Sequence, residues 1–220
     1  TLPAQMQAIA AGTWTGLPPT IGEAFGGGFY AGQISTAGNG VADYYLIVGP
    51  IASAQSTLDW KNVRTATPGA DSVIDGPQNT ADMVADGSAT VYPAAHFCNN
   101  LTIGGYTDWY MPSKNELEVC YYNLKPTTDS NNTSSGINSN AVPSRGSNYT
   151  TGTPAQTSAS AFQSGGTEAF WSTGDPTYSQ YFYDSSEYST EGGDAQSLAT
   201  GYQIYGWKDD AYPVRAIRRV

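Results

Sequence analysis

A histidine close to a cysteine is the first pair in this chain that could do chemistry, because a base beside a thiol can create a nucleophile. His96 and Cys98 stand in a segment predicted to be helical, where residues so close in sequence point to different faces. We therefore expect His96 to be a surface residue, or one whose hydrogen bonds are satisfied. The sequence predicts a protein that is not an enzyme.

A group of carboxylates near the C-terminus is the second candidate, because oxygen atoms are the ligands that calcium prefers. No Asp-x-Asp-x-Asp-Gly loop organises them, so we expect no cofactor and keep calcium as an alternative. Paired carboxylates also hydrolyse glycosides, but acidic residues on the surface of an acidic protein usually serve solubility. The residues concerned are Asp184, Glu187, Glu191, Asp194, Asp209 and Asp210.

Aromatic residues in the same stretch indicate a binding surface. Tyrosine and tryptophan provide a large contact area at low entropic cost and stack on sugar rings or on protein side chains. For each ring taken singly, packing in the core is an equal alternative. The predicted receptor-binding residues are Tyr178, Tyr181, Tyr183, Asp184, Tyr188, Tyr202, Tyr205, Trp207 and Asp209.

Composition restricts the partners of this surface. Nineteen acidic against nine basic residues give a net charge of −10, which opposes binding to nucleic acid or to an anionic membrane. The longest apolar run, over residues 44–51, is too short to cross a bilayer, so we expect no membrane insertion. With 25 glycines and 13 prolines in 220 residues, the chain favours one domain rich in turns and poor in long helices.

The N-terminal half predicts an arm followed by a hairpin. Residues 1–20 form the arm, and the domain occupies residues 21–220. Strands over 29–34 and 44–48 flank a polar turn and predict a β-hairpin, with the glycines before it allowing close backbone approach. Helices near 79–84 and 92–101 are expected to cover one face of this hairpin.

A third helix is predicted to begin after Ser113, because Ser113 and Glu116 have the spacing of a capping box. Its apolar stripe consists of Leu117, Cys120, Tyr121 and Leu124. Lys114 and Glu118 are expected to pair on another face. Cys98 and Cys120 are read as buried thiols, with a disulfide between them as the alternative.

The C-terminal half predicts a long irregular loop followed by short strands. The loop covers residues 126–164, and strands are expected over 169–172, 198–207 and 213–218, the last of them inside a sheet. Trp109 and Trp171 are assigned to the core.

Several of these segments together carry a family resemblance. They are residues 94–109, residues 111–117, Phe170-Trp171-Ser172 and Tyr212-Pro213-Val214-Arg215-Ala216-Ile217-Arg218. The chain resembles the Lcl-like C-terminal domain family of unknown function, which has a C-type-lectin-like fold. Residues 21–32 and 45–48 look like the form of this domain found in bacteriophage tail-fibre proteins. Tyr110 departs from the family, which commonly has arginine there.

The resemblance implies an α+β, C-type-lectin-like fold with short antiparallel strands, two or three short helices and long loops. It also implies a non-enzymatic receptor-binding domain of a phage tail fibre or tail tip, located in the virion, that recognises a host-surface glycan or protein. Such proteins are usually homotrimers that contact other tail proteins. The alternatives are a bacterial surface or exported adhesin with the same fold, and a glycan-cleaving enzyme.

Overall fold

A computed structural model of the protein describes residues 18–170 and 180–220. Within these ranges the chain contains short antiparallel strands, four α-helices and long loops, which confirms the predicted α+β class. Residues 1–17 of the predicted arm and Trp171 lie outside the described residues.

The largest sheet is built around the predicted hairpin. Strands β2 and β3 pair antiparallel, and the order β1-β2-β3-β10 places the last strand of the chain next to β3, while β5 pairs with β2. Gly28 must be a glycine, because a Cβ there would lie 2.2 Å from the carbonyl oxygen of Val48. The strands are β1 (Ala24–Phe25), β2 (Gly28–Ile34), β3 (Tyr44–Val48), β5 (Ala141–Val142) and β10 (Ile217–Arg219).

Two smaller sheets complete the strands. One pairs β4 with β9, and the other has the order β6-β7-β8. Their strands are β4 (Gln55–Asp59), β6 (Tyr181–Glu187), β7 (Gly192–Ser197), β8 (Gln203–Trp207) and β9 (Ala211–Arg215).

The strand predicted over 213–218 is divided at Ala216. The Ala216 N–H donates to the carbonyl of Ala54, and its own carbonyl accepts from the N–H of Gly49, so the chain passes here from one sheet to another. The resulting β9 belongs to a two-stranded sheet, and β10 ends its strand order. The expectation of one interior strand is therefore wrong.

The helices are α1 (Ile51–Ala54), α2 (Gly76–Asp86), α3 (Pro93–Asn99) and α4 (Lys114–Leu124). The predicted start of α4 is confirmed: Ser113 is its N-cap, and the Ser113 N–H donates to Glu116 Oε2 at 2.8 Å. It is α4 that packs on the β2–β3 hairpin, whereas α2 and α3 pack on each other and on β6 and β4. The expected covering of the hairpin by α2 and α3 is wrong.

Two hydrophobic clusters form the core. One contains Trp60, Trp109 and Cys98, and the other lies between α4 and the large sheet and contains Cys120. Trp109 is 2% exposed, so its assignment to the core is confirmed. Both cysteines are buried free thiols.

Two carboxylates of α4 are buried and connect the helix to distant parts of the chain. Glu116 accepts hydrogen bonds from the Tyr110 hydroxyl at 2.6 Å and from Arg219 Nε at 2.8 Å, which ties β10 to the helix. It is fully buried, so these donors replace the water it loses.

Glu118 ties the long loop to the same helix. Its carboxylate accepts from Asn138 Nδ2 at 2.5 Å and from the Tyr149 hydroxyl at 2.6 Å, and it pairs with the guanidinium of Arg145. The predicted pair of Lys114 and Glu118 is wrong, because Glu118 turns inward to these three donors.

A buried lysine connects the first residues of the loop to a later part of it. Lys125 Nζ donates to Asn131 Oδ1 at 2.7 Å, and Asn131 Nδ2 donates to the Pro154 carbonyl at 2.8 Å. The 126–164 segment is therefore packed, although β5 and one short 3₁₀ turn are its regular elements among the named ones.

We predict that Glu118→Gln lowers the free energy of unfolding by roughly 3 kcal/mol, because the partly buried guanidinium of Arg145 loses its buried counter-charge. Urea unfolding measures the loss, and hydrogen exchange should accelerate in residues 126–164. The control is the exposed Glu191→Gln, which should stay within about 0.5 kcal/mol of the wild type. Equal midpoints for the two variants would contradict this role for Glu118.

Candidate functional site

The predicted receptor-binding residues gather on the β6-β7-β8 sheet and its turns, but the structure divides them into buried and exposed groups. Tyr178 lies outside the described residues. Tyr181 is half-buried on β6, and its ring lies 6.4 Å from that of Tyr212. Tyr202 is 39% exposed and precedes β8.

Tyr183 is a core residue and not a receptor contact. It is 0% exposed, and its ring stacks on Tyr212 with centroids 4.6 Å apart. Its hydroxyl donates to the carbonyls of Trp207 and Asp210. Burial raises the pKa of this hydroxyl far above its usual value. The prediction fails here because β6 is buried on both faces: Phe182 and Tyr183, which point to opposite faces, are both 0% exposed.

Asp184 is also buried, because β6 leaves its ladder at this point. The β6–β7 register shifts between Tyr183 and Glu187, so the intervening residues form a bulge. The Ser185 N–H donates to the Pro112 carbonyl at 2.7 Å, which docks the bulge on the turn before α4. Asp184 is 1% exposed and is removed from the predicted contact set.

The Asp184 carboxylate lies close to that of Asp194 on β7. Its Oδ1 accepts from the Ser186 N–H at 2.8 Å, while Asp194 Oδ1 accepts from Lys114 Nζ at 3.1 Å. Burial raises the pKa of Asp184 well above its usual range, and the charge of Asp194 raises it further. Burial also raises the pKa of Asp194, against the opposing charge of Lys114. The charge of Lys114 thus acts on two buried carboxylates.

Three predicted rings do form an exposed surface, which we call the aromatic patch: Tyr188, Tyr205 and Trp207. They are 57%, 43% and 38% exposed, respectively. Tyr188 and Tyr205 stack with centroids 4.6 Å apart and planes 5° from parallel, and Tyr205 meets Trp207 edge to face at 5.8 Å. The rings are therefore ordered against one another before any partner arrives.

Strand geometry explains how these rings meet. Tyr205 and Trp207 are two residues apart on β8 and so point to the same side of the sheet. Gly192 lies opposite Trp207 on β7, and a Cβ there would lie 2.9 Å from Cδ2 of Tyr205. The absence of a side chain at Gly192 leaves the space that Tyr205 uses to reach Tyr188.

Arg64 is part of the site, although no local sequence pattern marks it. Its guanidinium lies 4.5 Å from the ring centroid of Trp207, and its Nε donates to Asp209 Oδ1 at 2.6 Å. Asp209, which was predicted as a contact, therefore lies at the margin of the aromatic patch.

A buried lysine under β8 fixes the position of the aromatic patch. Lys208 points away from the rings, and its Nζ donates to the carbonyls of Thr65 at 2.8 Å and Thr190 at 3.0 Å and pairs with Glu187. These partners adjoin Arg64 and Tyr188 in sequence. One ammonium group therefore holds both neighbouring segments against β8. Its pKa is lowered by burial, and Glu187 opposes that change.

The part of the chain that the structure describes contains no group of three or more His, Cys, Asp and Glu side chains arranged to hold a metal ion. None of its helices has the length and apolar character needed to span a bilayer. His96 is half-buried, and its Nε2 lies 2.7 Å from the Gly87 carbonyl oxygen, as expected for a residue with a satisfied hydrogen bond.

We predict that Asp184→Asn becomes more stable relative to wild type as pH rises. The folded-state pKa of Asp184 is raised, so ionising this carboxyl above about pH 4, its unfolded value, destabilises the folded wild type. Asparagine avoids this cost and can still accept from the Ser186 N–H. By pH 8 the gain should exceed about 1.4 kcal/mol, the free energy of a tenfold change in proton affinity.

Chemical unfolding between pH 3 and 8 measures this difference. The control is Val41→Ala at an exposed position, which changes no titratable group and should differ from the wild type by a constant amount. A constant difference between Asp184→Asn and wild type across this range would contradict the argument.

The chain matches no family model and no curated protein. Among solved structures, it is similar to a fimbrial protein from Bacteroides ovatus, with 12% sequence identity and a TM-score of 0.43. The likeness covers 83% of this chain and 36% of that one, so this chain spans little more than a third of that protein's length. At this level of similarity, neither the fold nor the role of that protein is transferred.

Proposed function

We propose that this protein is a non-enzymatic receptor-binding domain, an adhesin, whose aromatic patch contacts a receptor on a host cell surface. The observation that carries the proposal is the ordered exposure of Tyr188, Tyr205 and Trp207 on one side of a sheet. Tyrosine and tryptophan are the residues in which binding energy concentrates at interfaces.

The order of the rings supports binding because it reduces the entropic cost of association. Immobilising a free side chain at an interface costs about 0.5–1.5 kcal/mol. Tyr188 and Tyr205 are already stacked, and Lys208 anchors the segments on either side of them. The rings themselves therefore need little rearrangement when a receptor binds.

The family resemblance supports the finer form of the proposal: a C-type-lectin-like domain at a phage tail fibre or tail tip, assembled as a homotrimer with other tail proteins. A bacterial surface adhesin would use the same aromatic patch, but it would be carried on a bacterial cell and not on a phage. A glycan-cleaving enzyme is distinguished from both by release of sugar fragments when purified protein is incubated with receptor-positive cells.

We predict that Tyr205→Ala and Trp207→Ala each weaken attachment to receptor-positive cells by roughly 30-fold in Kd, or about 2 kcal/mol, because each removes a central ring from the contact. Attachment of labelled protein to a panel of bacterial strains, together with a glycan array, measures the loss. Val41→Ala is the matched control, because Val41 is an apolar residue that is 65% exposed in the turn between β2 and β3.

Thermal unfolding verifies that the three variants remain folded. Undiminished attachment of both aromatic variants would remove the aromatic patch as the receptor site. Release of sugar fragments by the wild type would show that the protein is a glycan-cleaving enzyme and not an adhesin.

A further inference from the structure

The aromatic patch already holds a cation, and that cation comes from the protein itself. The Arg64 guanidinium lies over the Trp207 ring at 4.5 Å and donates to Asp209 at 2.6 Å. An aromatic face and a carboxylate that meet at one point form a notch suited to a guanidinium, through cation–π attraction and a charge-assisted hydrogen bond. We call this the Trp207–Asp209 notch.

The occupant of the notch is only weakly held. The side chains of Arg64 and Asp209 are 39% and 38% exposed. Ion pairs with this exposure contribute little to stability because water and salt screen them. Arg64 can therefore leave the notch without unfolding the domain.

The charge around the notch exceeds what Arg64 neutralises. The hydrogen bond to Asp209 raises the pKa of Arg64, and the charges of Asp209, Asp210 and Glu191 add to this effect. Partial burial raises the pKa of Asp59 on β4, and Asp209 and Asp210 raise it further. Several carboxylates thus lie within electrostatic range of one guanidinium, so the notch attracts cations and repels anions.

We propose that the Trp207–Asp209 notch receives an arginine side chain of a protein receptor, which displaces Arg64 on binding. This inference rests on the proposed function and narrows it from glycan or protein to a protein with an exposed arginine. Arginine fits better than a neutral sugar, because a neutral sugar carries no charge to pair with the carboxylates. It also fits better than an anionic glycan, because the surrounding acids oppose one.

The test is a titration with two short peptides that differ in one side-chain group: acetyl-Gly-Arg-Gly-amide, and the same peptide with citrulline, in which an uncharged urea replaces the guanidinium of arginine. Binding is followed by the NMR signal of the Trp207 indole N–H, identified by its loss in Trp207→Phe. The proteins are wild type, Arg64→Ala, and Arg64→Ala combined with either Asp209→Asn or Asp129→Asn. The last is the matched control, because Asp129 is an exposed acid on the 126–164 loop.

We expect Arg64→Ala to bind the arginine peptide roughly tenfold more tightly than wild type, since the notch is then vacant; tenfold corresponds to about 1.4 kcal/mol. Asp209→Asn should abolish this gain and Asp129→Asn should retain it. The citrulline peptide should give no saturable shift. Equal responses to the two peptides, no gain in Arg64→Ala, or equal effects of the two asparagine changes would each overturn the proposal.

The two proposals fail separately. If alanine at Tyr205 or Trp207 abolishes cell attachment but the arginine peptide shows no preference, the arginine notch is wrong and the adhesin stands. If the arginine peptide binds as expected but alanine at Tyr205 or Trp207 leaves cell attachment unchanged, the adhesin proposal is wrong. The notch is then a cation site that does not take part in cell attachment.

Discussion

Burial of charge is the constraint on which this structure depends. A carboxylate or ammonium group removed from water must be compensated by several donors or acceptors, or the fold loses stability. In α4, Glu116 meets this requirement with Tyr110 and Arg219, and Glu118 meets it with groups of the 126–164 loop. These donors come from segments far apart in sequence. Compensating two glutamates therefore joins the loop, the last strand and the helix into one framework.

The same constraint positions the exposed surface. Lys208 is 0% exposed, and the carbonyls that compensate it belong to the segments on both sides of β8. Trp207 ends β8 with its ring 38% exposed, and Lys208, the next residue, begins the turn toward β9 with its ammonium group buried. The buried ammonium group of Lys208 thus fixes the positions of the exposed rings of the aromatic patch. The buried ammonium group and the exposed rings are therefore held in place by the end of β8 and the turn that follows it.

Local patterns in the sequence predicted the local structure. The start of α4 followed from Ser113 and Glu116, and the β2–β3 hairpin followed from its strand residues and polar turn. The site was predicted in part: the aromatic composition located Tyr188, Tyr205 and Trp207 but also included the buried Tyr183. Composition carries no information on whether a strand is covered on one face or, like β6, on both.

Contacts between residues far apart in the sequence could not be predicted from the sequence. Arg64 reaches Trp207, and Lys208 reaches Thr65, only because β4 and β9 pair and bring their connecting segments together. A single sequence contains no local signal for such a meeting. Burial of charged residues was equally hidden, since Glu118 in an amphipathic helix suggests a surface ion pair until its donors are known.

The most direct test of the account places a bulky group on the aromatic patch. Burial raises the pKa of Cys98 and Cys120 and protects both thiols from labelling, so a new surface cysteine reacts selectively with a maleimide-linked polymer. Attachment to receptor-positive cells is then compared for polymer-labelled Tyr188→Cys and polymer-labelled Val41→Cys. If the aromatic patch is the receptor site, the polymer at position 188 blocks attachment while the polymer at position 41 does not. Equal attachment of the two labelled proteins would contradict it.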